Sequence, residues 1–201
     1  SQRHIMAEDR YLYRPPEPVH RLTVIGTGTI GQEHMRVATL LGRARVHGIY
    51  DTKQSSLDAA EANFRSYCND PLVHYPDLAS AIADPESDAI LICTPNFTHY
   101  EIFQAAARSG KPLFVEKPMA TRLEDAVEMV KFSKTYGAFV QIGLQYRYKA
   151  QYVEAFHEAL GRQSIGEVRT IAVSEHRPPF LDKVEKWNKF ADNTGGTLVE
   201  K

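Results

Sequence analysis

The sequence has little cysteine and no long hydrophobic run, and each absence excludes a class of protein. Its 201 residues include two cysteines, Cys68 and Cys93, which lack the CxxC or CxxxH spacing of a zinc module. Two isolated cysteines are typical of a reducing compartment, so we expect a cytoplasmic protein without a bound metal. No apolar run approaches the roughly 18 residues of a membrane span, and no basic-then-apolar signal pattern opens the chain.

An excess of charge of one sign is also missing. Lys and Arg number 24 and Asp and Glu number 25, which gives a formal net charge of -1. Without a basic field, we expect no binding to nucleic acid or to an anionic membrane. Hydrophobic residues make up 43% of the chain. A chain of this length buries roughly 70% of its unfolded surface, so its core is large enough without a disulfide or metal.

What the sequence does contain is an alternation of strand and helix patterns. A short apolar, β-branched run at 21–26 predicts a buried strand that breaks at glycine. A helical pattern follows at 30–41, with Gly42 at the position of a left-handed cap. Further strands are predicted at 45–50, 72–75, 89–93, 112–115 and 138–144, and further helices at 55–64, from Asp77 and at 98–109.

A capping box predicts the start of one more helix. Thr121 and Glu124 have its spacing, and the helix is expected to end before Gly137. One face of this helix is formed by Leu123, Val127 and Val130. Strands joined by helices of this length imply right-handed crossovers, so we expect an α/β fold with a doubly wound parallel sheet.

These patterns divide the chain into three parts. Residues 1–20 combine an expected tag remnant, which precedes Met6, with a polar N-terminal arm. Residues 21–148 contain the alternation of strands and helices and form the first predicted domain. At 149–201, a helix at 151–160 and a strand at 167–175 are expected to begin a second domain.

A glycine-rich turn follows the first predicted strand. Gly26, Gly28 and Gly31 form a GxGxxG pattern that opens a helix, which is the context of a dinucleotide-binding turn. The first glycine permits a tight turn, the second lets the backbone approach a pyrophosphate, and the third allows close packing of helix on strand. The backbone at Thr29 and Ile30 then offers N–H groups to the anion. This predicts a dinucleotide-binding domain of the Rossmann type, and the alternative is a purely structural turn.

A carboxylate stands where a dinucleotide site requires one. Asp51 ends the second strand about 20 residues after Gly31, where it can accept hydrogen bonds from the adenosine ribose hydroxyls. Its charge repels a 2′-phosphate and therefore favours NAD. Lys53 is close enough in sequence to offer a compensating charge, which keeps NADP possible.

Polar residues follow the fourth and fifth predicted strands. Ligands of open α/β sheets bind beyond the carboxyl ends of the strands, so we expect these residues to face the nicotinamide. The predicted cofactor contacts in this group are Thr94, Pro95, Asn96, His99, Glu116 and Lys117. For His99, a place inside the first turn of its helix is an equal alternative.

One lysine and a polar cluster predict the place of the substrate. Lys117 at a strand end can orient a hydroxyl or join proton transfer, which makes it the candidate catalytic residue, although outside this context it would be a solvated lysine. Gln145, Arg147 and Tyr148 leave the sixth strand at the same edge and suit a hydroxylated substrate, or else form a solvated loop. His157 lacks the second histidine of a zinc-protease helix, and we interpret it as a surface residue.

Together these motifs resemble the glucose-fructose oxidoreductase and inositol dehydrogenase family of nicotinamide-dependent enzymes. The resemblance covers about residues 21–201 and includes the glycine turn, the Glu-Lys-Pro motif at 116–118, and Trp187 before Gly195. It implies hydride transfer between nicotinamide C4 and a carbinol carbon of a sugar, cyclitol or related polyol, with Lys117 beside the reacting hydroxyl. It also implies a cis peptide before Pro118 and an α+β substrate domain whose open sheet makes the contacts of a homo-oligomer.

The last residues depart from the family pattern. Glu200 stands where the family usually has an Asp before its catalytic histidine, and the histidine itself would fall just beyond Lys201. Glu200 is therefore a candidate substrate-binding carboxylate, and we expect a fragment of a longer oxidoreductase rather than a natural short form that binds cofactor without turnover. A non-catalytic NAD-binding regulatory or partner protein is the alternative function, because function depends on sites rather than on folds.

Overall fold

A six-stranded parallel sheet organises the chain, of which the computed structural model describes residues 20–174, 176 and 184–196. The strand order is β3-β2-β1-β4-β5-β6, and every neighbouring pair is parallel. The strands are β1 (His20–Ile25), β2 (Ala44–Tyr50), β3 (Val73–His74), β4 (Ala89–Ile92), β5 (Leu113–Glu116) and β6 (Val140–Gly143). Parallel neighbours require crossover connections, so this order confirms the predicted doubly wound sheet.

Helices connect successive strands. The α-helices are α1 (Thr29–Leu41), α2 (Gln54–Arg65), α3 (Leu78–Ala83), α4 (His99–Ala107), α5 (Leu123–Ser133), α6 (Ala150–Phe156) and α7 (Ala191–Thr194). Short 3₁₀ helices lie at Asn96–Thr98, Gln145–Tyr148 and Val184–Lys189, and α6 continues into a π turn at His157–Gly161. None of the helices in the described ranges combines the length and the apolar character needed to cross a membrane.

The sheet buries one hydrophobic cluster on each face. Val24 and Ile25 are consecutive residues of β1 with 0% exposure, and they belong to different clusters because successive strand side chains point to opposite faces. The cluster around Val24 includes Phe64 of α2, and the cluster around Ile25 includes Phe103 of α4. Burial on both faces explains why β1 ends in two consecutive apolar residues instead of alternating apolar and polar ones.

Two predicted helix ends are confirmed, whereas the capping box is wrong. Gly42 has φ +69° and donates its N–H to the Ala38 carbonyl, which ends α1 in the expected left-handed cap. The side chain of Asp77 accepts a hydrogen bond from the Ser80 N–H at the start of α3. Helix α5, however, has Arg122 in the N-cap position with no side-chain cap. Thr121 therefore lies one residue too early to cap this helix.

The apolar face predicted on α5 is not the face that packs against the core. Leu123, Val127 and Val130 are 75%, 42% and 43% exposed, whereas Met129 of the same helix is 2% exposed. Helical spacing alone identified an apolar stripe but not the side that faces the sheet. Met129 instead joins the cluster around Ile25.

The strand predicted at 167–175 is also wrong for its described part. Residues 167–174 adopt no strand, and the side chains of Ile171 and Val173 are 75% and 86% exposed. A strand needs a neighbour to pair its backbone groups, and among the described residues no strand lies beside this segment. The β-branched composition of the segment is therefore insufficient to form a strand here.

Candidate cofactor-binding site

The predicted site residues meet at the edge where the strands end. Gly26, Asp51, Thr94 and Lys117 follow β1, β2, β4 and β5, and Gln145 follows β6. Chain order reverses between the adjacent strands β1 and β4, and such a reversal opens a crevice in doubly wound sheets. One parallel sheet thus brings together motifs that lie far apart in sequence.

The glycine turn has the geometry that its sequence predicts. Gly26 has φ +91°, and a Cβ built there would lie 2.6 Å from the backbone nitrogen of Thr94. A Cβ on Gly31 would collide with the Gly26 carbonyl oxygen. Only glycine at both positions lets the turn, the end of β4 and the first turn of α1 pack this closely.

Gly28 differs from these two glycines because it faces open space. It is the N-cap residue of α1, its φ is −64°, and a Cβ built there would have no atom within 4 Å. The first N–H groups of an α-helix have no carbonyl partner within the helix, and here they belong to Thr29, Ile30 and Gly31. An open cradle in front of these donors fits a pyrophosphate.

Asp51 connects two loops of the site. Its Oδ2 accepts hydrogen bonds from the backbone N–H of Thr27 at 2.8 Å and from the Thr27 hydroxyl at 3.2 Å, while its Oδ1 accepts from the Lys53 N–H at 2.9 Å. The carboxylate is half-buried. Each carboxylate oxygen can accept about two hydrogen bonds, so Oδ1 retains capacity for a ribose hydroxyl.

Two amide side chains that the sequence did not single out stabilise the same turn. Gln32 Nε2 donates to the Thr27 carbonyl at 2.9 Å, and Asn63 Nδ2 of α2 donates to Gln32 Oε1 at 3.0 Å. A polar residue directly after the last glycine was the available signal for Gln32, but nothing in the sequence connected it to Asn63. The two residues link the glycine turn to the next helix.

The loop after β4 presents a buried donor that has no hydrogen-bond partner in the described part of the chain. Asn96 is 7% exposed, and among the described residues its Nδ2 has no hydrogen-bond partner. The loop itself is well held, since the Thr98 hydroxyl lies 2.8 Å from Oγ1 of Thr94 and 2.7 Å from the Pro95 carbonyl. An unpaired buried amide is costly, so this donor fits a ligand acceptor at the crevice.

His99 lies inside the protein instead of lining the crevice. Its ring is 0% exposed, with Nδ1 2.8 Å from the Pro118 carbonyl and Nε2 2.9 Å from the Thr94 carbonyl. Burial lowers the pKa of His99, and the two carbonyl contacts act in the opposite direction. The imidazole thus connects the loops that follow β4 and β5, and it has no surface left for direct contact with a cofactor.

The loop after β5 carries the candidate catalytic lysine. The Lys117–Pro118 peptide is cis, as the family resemblance implied. Glu116 Oε2 accepts a hydrogen bond from the Lys117 N–H at 3.0 Å, and Glu116 Oε1 lies 2.7 Å from Nε2 of His34. His34 of α1 was not among the predicted site residues, and its place three residues after Gly31 was the only signal for it.

The segments after β6 border the same edge. Gln145, Arg147 and Tyr148 are exposed in the 3₁₀ helix that follows β6. The ring of Trp187 lies 6.4 Å from that of Phe97, in an edge-on contact that brings the segment 184–196 to the loop after β4. Glu200 lies outside the described residues. No group of three or more His, Cys, Asp or Glu in the described part of the chain is arranged to hold a metal ion.

An open glycine turn, a carboxylate after β2 and a crevice at the reversal of strand order define a dinucleotide-binding domain of the Rossmann class. The profile of the oxidoreductase family with an NAD-binding Rossmann fold matches residues 20–144. The chain belongs to this family. The match confirms the predicted fold class and the prediction of an NAD-binding domain.

Relatives and solved structures agree with this assignment. The chain is 38% identical over 135 residues to an inositol 2-dehydrogenase of Paracoccus denitrificans, a match to 66% of this chain and 39% of that protein. It is 33% identical over 175 residues to an inositol 2-dehydrogenase of Acidothermus cellulolyticus, covering 86% and 50%. The crystal structure of myo-inositol dehydrogenase from Lactobacillus casei in complex with NAD(H) and myo-inositol matches with a TM-score of 0.63 and 33% identity, over 74% of this chain and 43% of that chain. The chain thus spans half or less of the length of these proteins.

Proposed function

We propose that the protein is an NAD-dependent oxidoreductase that transfers a hydride between nicotinamide C4 and a carbinol carbon of a sugar, cyclitol or related polyol. The observation that carries the proposal is that an open Gly28 turn and Lys117 share one edge of the sheet. The relatives that are named inositol dehydrogenases support a polyol as the substrate class.

Specific residues of this chain would hold the dinucleotide. The N–H groups at the start of α1 bind the pyrophosphate, and Asp51 accepts hydrogen bonds from the adenosine ribose. Asn96 Nδ2 donates to an acceptor on the nicotinamide half, because it is buried at the crevice without another partner in the described chain. His99 acts indirectly, by fixing the loops that carry Thr94 and Pro118. The bound nicotinamide supplies the hydride acceptor or donor.

The substrate would lie against the loop after β5. Lys117 orients the reacting hydroxyl through its ammonium group, which stabilises negative charge that develops on the oxygen. Glu116 fixes the backbone of this lysine through the hydrogen bond to its N–H. Gln145, Arg147 and Tyr148 offer donors and acceptors to the other hydroxyls of a polyol, and Glu200 is proposed as a further substrate-binding carboxylate.

The choice between the two nicotinamide cofactors depends on charge. Asp51 places a carboxylate where NADP would carry its 2′-phosphate, and the two negative charges would repel each other. The backbone N–H of Lys53 is bound to Asp51 Oδ1, and the ammonium group of Lys53 offers a compensating charge that keeps NADP possible. We therefore propose NAD as the preferred cofactor, with NADP as the weaker one.

The organisation of the whole protein is part of the same proposal. Residues 21–148 would form the cofactor domain, and 149–201 would begin the substrate domain. That second domain would also make the contacts of a homo-oligomer. A cytoplasmic location remains the expectation from cysteine usage.

The proposal is tested with NAD and a panel of polyols and sugars, by following the absorbance of reduced nicotinamide. The whole protein should turn over at least one polyol, and Lys117→Ala should lower kcat by at least about a hundredfold while NADH binding changes less than about threefold. Lys134→Ala, an exposed lysine at the end of α5, is the matched control and should behave as wild type. NADH binding without turnover of any substrate would favour the non-catalytic regulator.

A further inference from the structure

His34 connects the cofactor-binding helix to the strand that carries the Glu-Lys-Pro motif. It lies in the second turn of α1, beside Met35, which is 0% exposed and faces the sheet. The His34 side chain, 27% exposed, reaches the end of β5, where Glu116 is 17% exposed. The residue therefore lies between the glycine turn and the Lys117 loop, without belonging to either motif.

The contact between His34 and Glu116 has a defined direction. Nε2 lies 2.7 Å from Glu116 Oε1, and a carboxylate can only accept, so Nε2 carries the hydrogen. The other carboxylate oxygen accepts the Lys117 N–H at 3.0 Å. Glu116 thus bridges an imidazole of α1 and the backbone of the candidate catalytic lysine.

The surroundings leave the carboxylate little freedom to turn. The His34 ring lies edge-on to Phe114, with 4.9 Å between ring centroids. On the neighbouring strand, a Cβ built on Gly143 would come within 2.9 Å of both Glu116 Oε1 and Phe114 Cζ. Close approach of β6 on one side and of His34 on the other fixes one orientation of Glu116.

We propose that His34 is a positioning residue, which acts through Glu116 to hold the backbone at Lys117 and so presents this lysine to the substrate. The effect of His34 on catalysis rests on the proposed function. The arrangement of His34, Glu116 and Lys117 is independent of that function, because every contact in it lies within the protein. Loss of the imidazole would free the Glu116 carboxylate and weaken its hold on the Lys117 N–H.

The direct test is amide hydrogen exchange at Lys117, measured by NMR on the protein without cofactor or substrate. In His34→Ala, the Lys117 N–H should exchange about tenfold faster than in wild type. His34→Gln, which keeps a side-chain donor, should restore exchange to within about threefold. Core amides such as that of Val24 should not change, and His157→Ala, an exposed histidine of the π turn, should leave Lys117 unaffected.

Equal exchange at Lys117 in wild type and His34→Ala would overturn the proposal, and so would a parallel rise at Val24, which would indicate general loss of stability. If His34→Ala does not fold, ring-nitrogen NMR on the Glu116→Gln variant replaces it: the His34 resonances should shift while those of His157 stay in place. Unmoved His34 resonances would also overturn it. If the Lys117 N–H exchanges faster in His34→Ala but the protein turns over no polyol, the positioning role is supported and the proposed function is rejected.

Discussion

The sheet region and the region after β6 differ in how far their large apolar side chains are buried. Within residues 20–143, Phe64 and Phe103 are 0% and 2% exposed and belong to the two core clusters. Within 144–174, Phe156 and Ile171 are 64% and 75% exposed. The first region closes a core around its own sheet, whereas in the second the described residues bury almost none of their apolar surface.

This difference shows where the chain derives its stability. Burial of apolar surface is the main favourable contribution to folding, so the sheet region has a stabilising core of its own. Residues 144–174 have local contacts instead, such as the stacked rings of Tyr146 and Tyr152 and the Lys149 ammonium over the Tyr146 ring. The candidate site residues that follow β1, β2, β4 and β5 are thus built on the part with its own core, whereas Gln145, Arg147 and Tyr148 belong to the region after β6.

The largest effect on stability is expected when one large side chain is removed from each region. Phe103→Ala deletes a buried ring and should lower the free energy of unfolding by about 3–5 kcal/mol. Phe156→Ala removes an exposed ring and should change it by less than about 0.5 kcal/mol. Urea unfolding followed by circular dichroism measures both. Similar losses for the two variants would contradict the comparison.

A smaller effect is expected at the glycine turn. Gly26→Ala forces a side chain onto φ +91° and into the backbone at Thr94, so it should cost about 3 kcal/mol of stability. Gly137→Ala is the matched control, because a Cβ there would meet no atom within 4 Å. A Gly26→Ala protein with the thermal midpoint of wild type would show that the turn tolerates a side chain.

The weakest of these effects is a pH dependence that originates at His99. Its folded-state pKa lies below the ordinary 6.5 because of burial, so the unfolded chain binds the proton first as the pH falls. The stability that His99 contributes is therefore complete above about pH 6.5 and declines below it, by up to about 1.4 kcal/mol per pH unit, until the folded-state pKa is reached.

The measurement compares urea unfolding of wild type and His99→Gln at about pH 7.5 and about pH 5.5. Contributions from the other titrating groups cancel in the difference between the two proteins. The advantage of wild type over His99→Gln should shrink at the lower pH. An advantage that stays constant or grows would mean that the folded state holds the proton at least as well as the unfolded chain.

Sequence patterns predicted the sheet well because local signals and burial coincide there. The run that forms β1 is buried on both faces, and glycine marks its end, so composition alone located it to within a residue. The left-handed cap at Gly42 follows from the residue type, whereas the cis peptide before Pro118 was implied by the family resemblance, because most peptide bonds before proline are trans.

The wrong and missed predictions share a physical cause: the residues that determine each structure are distant in sequence. The segment around Ile171 and Val173 has strand composition but no strand beside it in the described structure. The apolar stripe of α5 could not reveal that Met129, on another side of the helix, packs into the core. Likewise, Gln32 contacts Asn63 and His34 contacts Glu116, and no local pattern connects these pairs.

We propose that the open space in front of Gly28 receives the pyrophosphate of NAD, and titration of NADH fluorescence with Gly28→Ala measures whether it does. An alanine there meets no protein atom and has an allowed φ, so stability should change by less than about 1 kcal/mol. Its methyl group would occupy the predicted phosphate cradle, and the Kd for NADH should rise at least about tenfold, with Gly137→Ala unchanged. Equal NADH affinity in a folded Gly28→Ala protein and in wild type would mean that the pyrophosphate does not bind in front of Gly28.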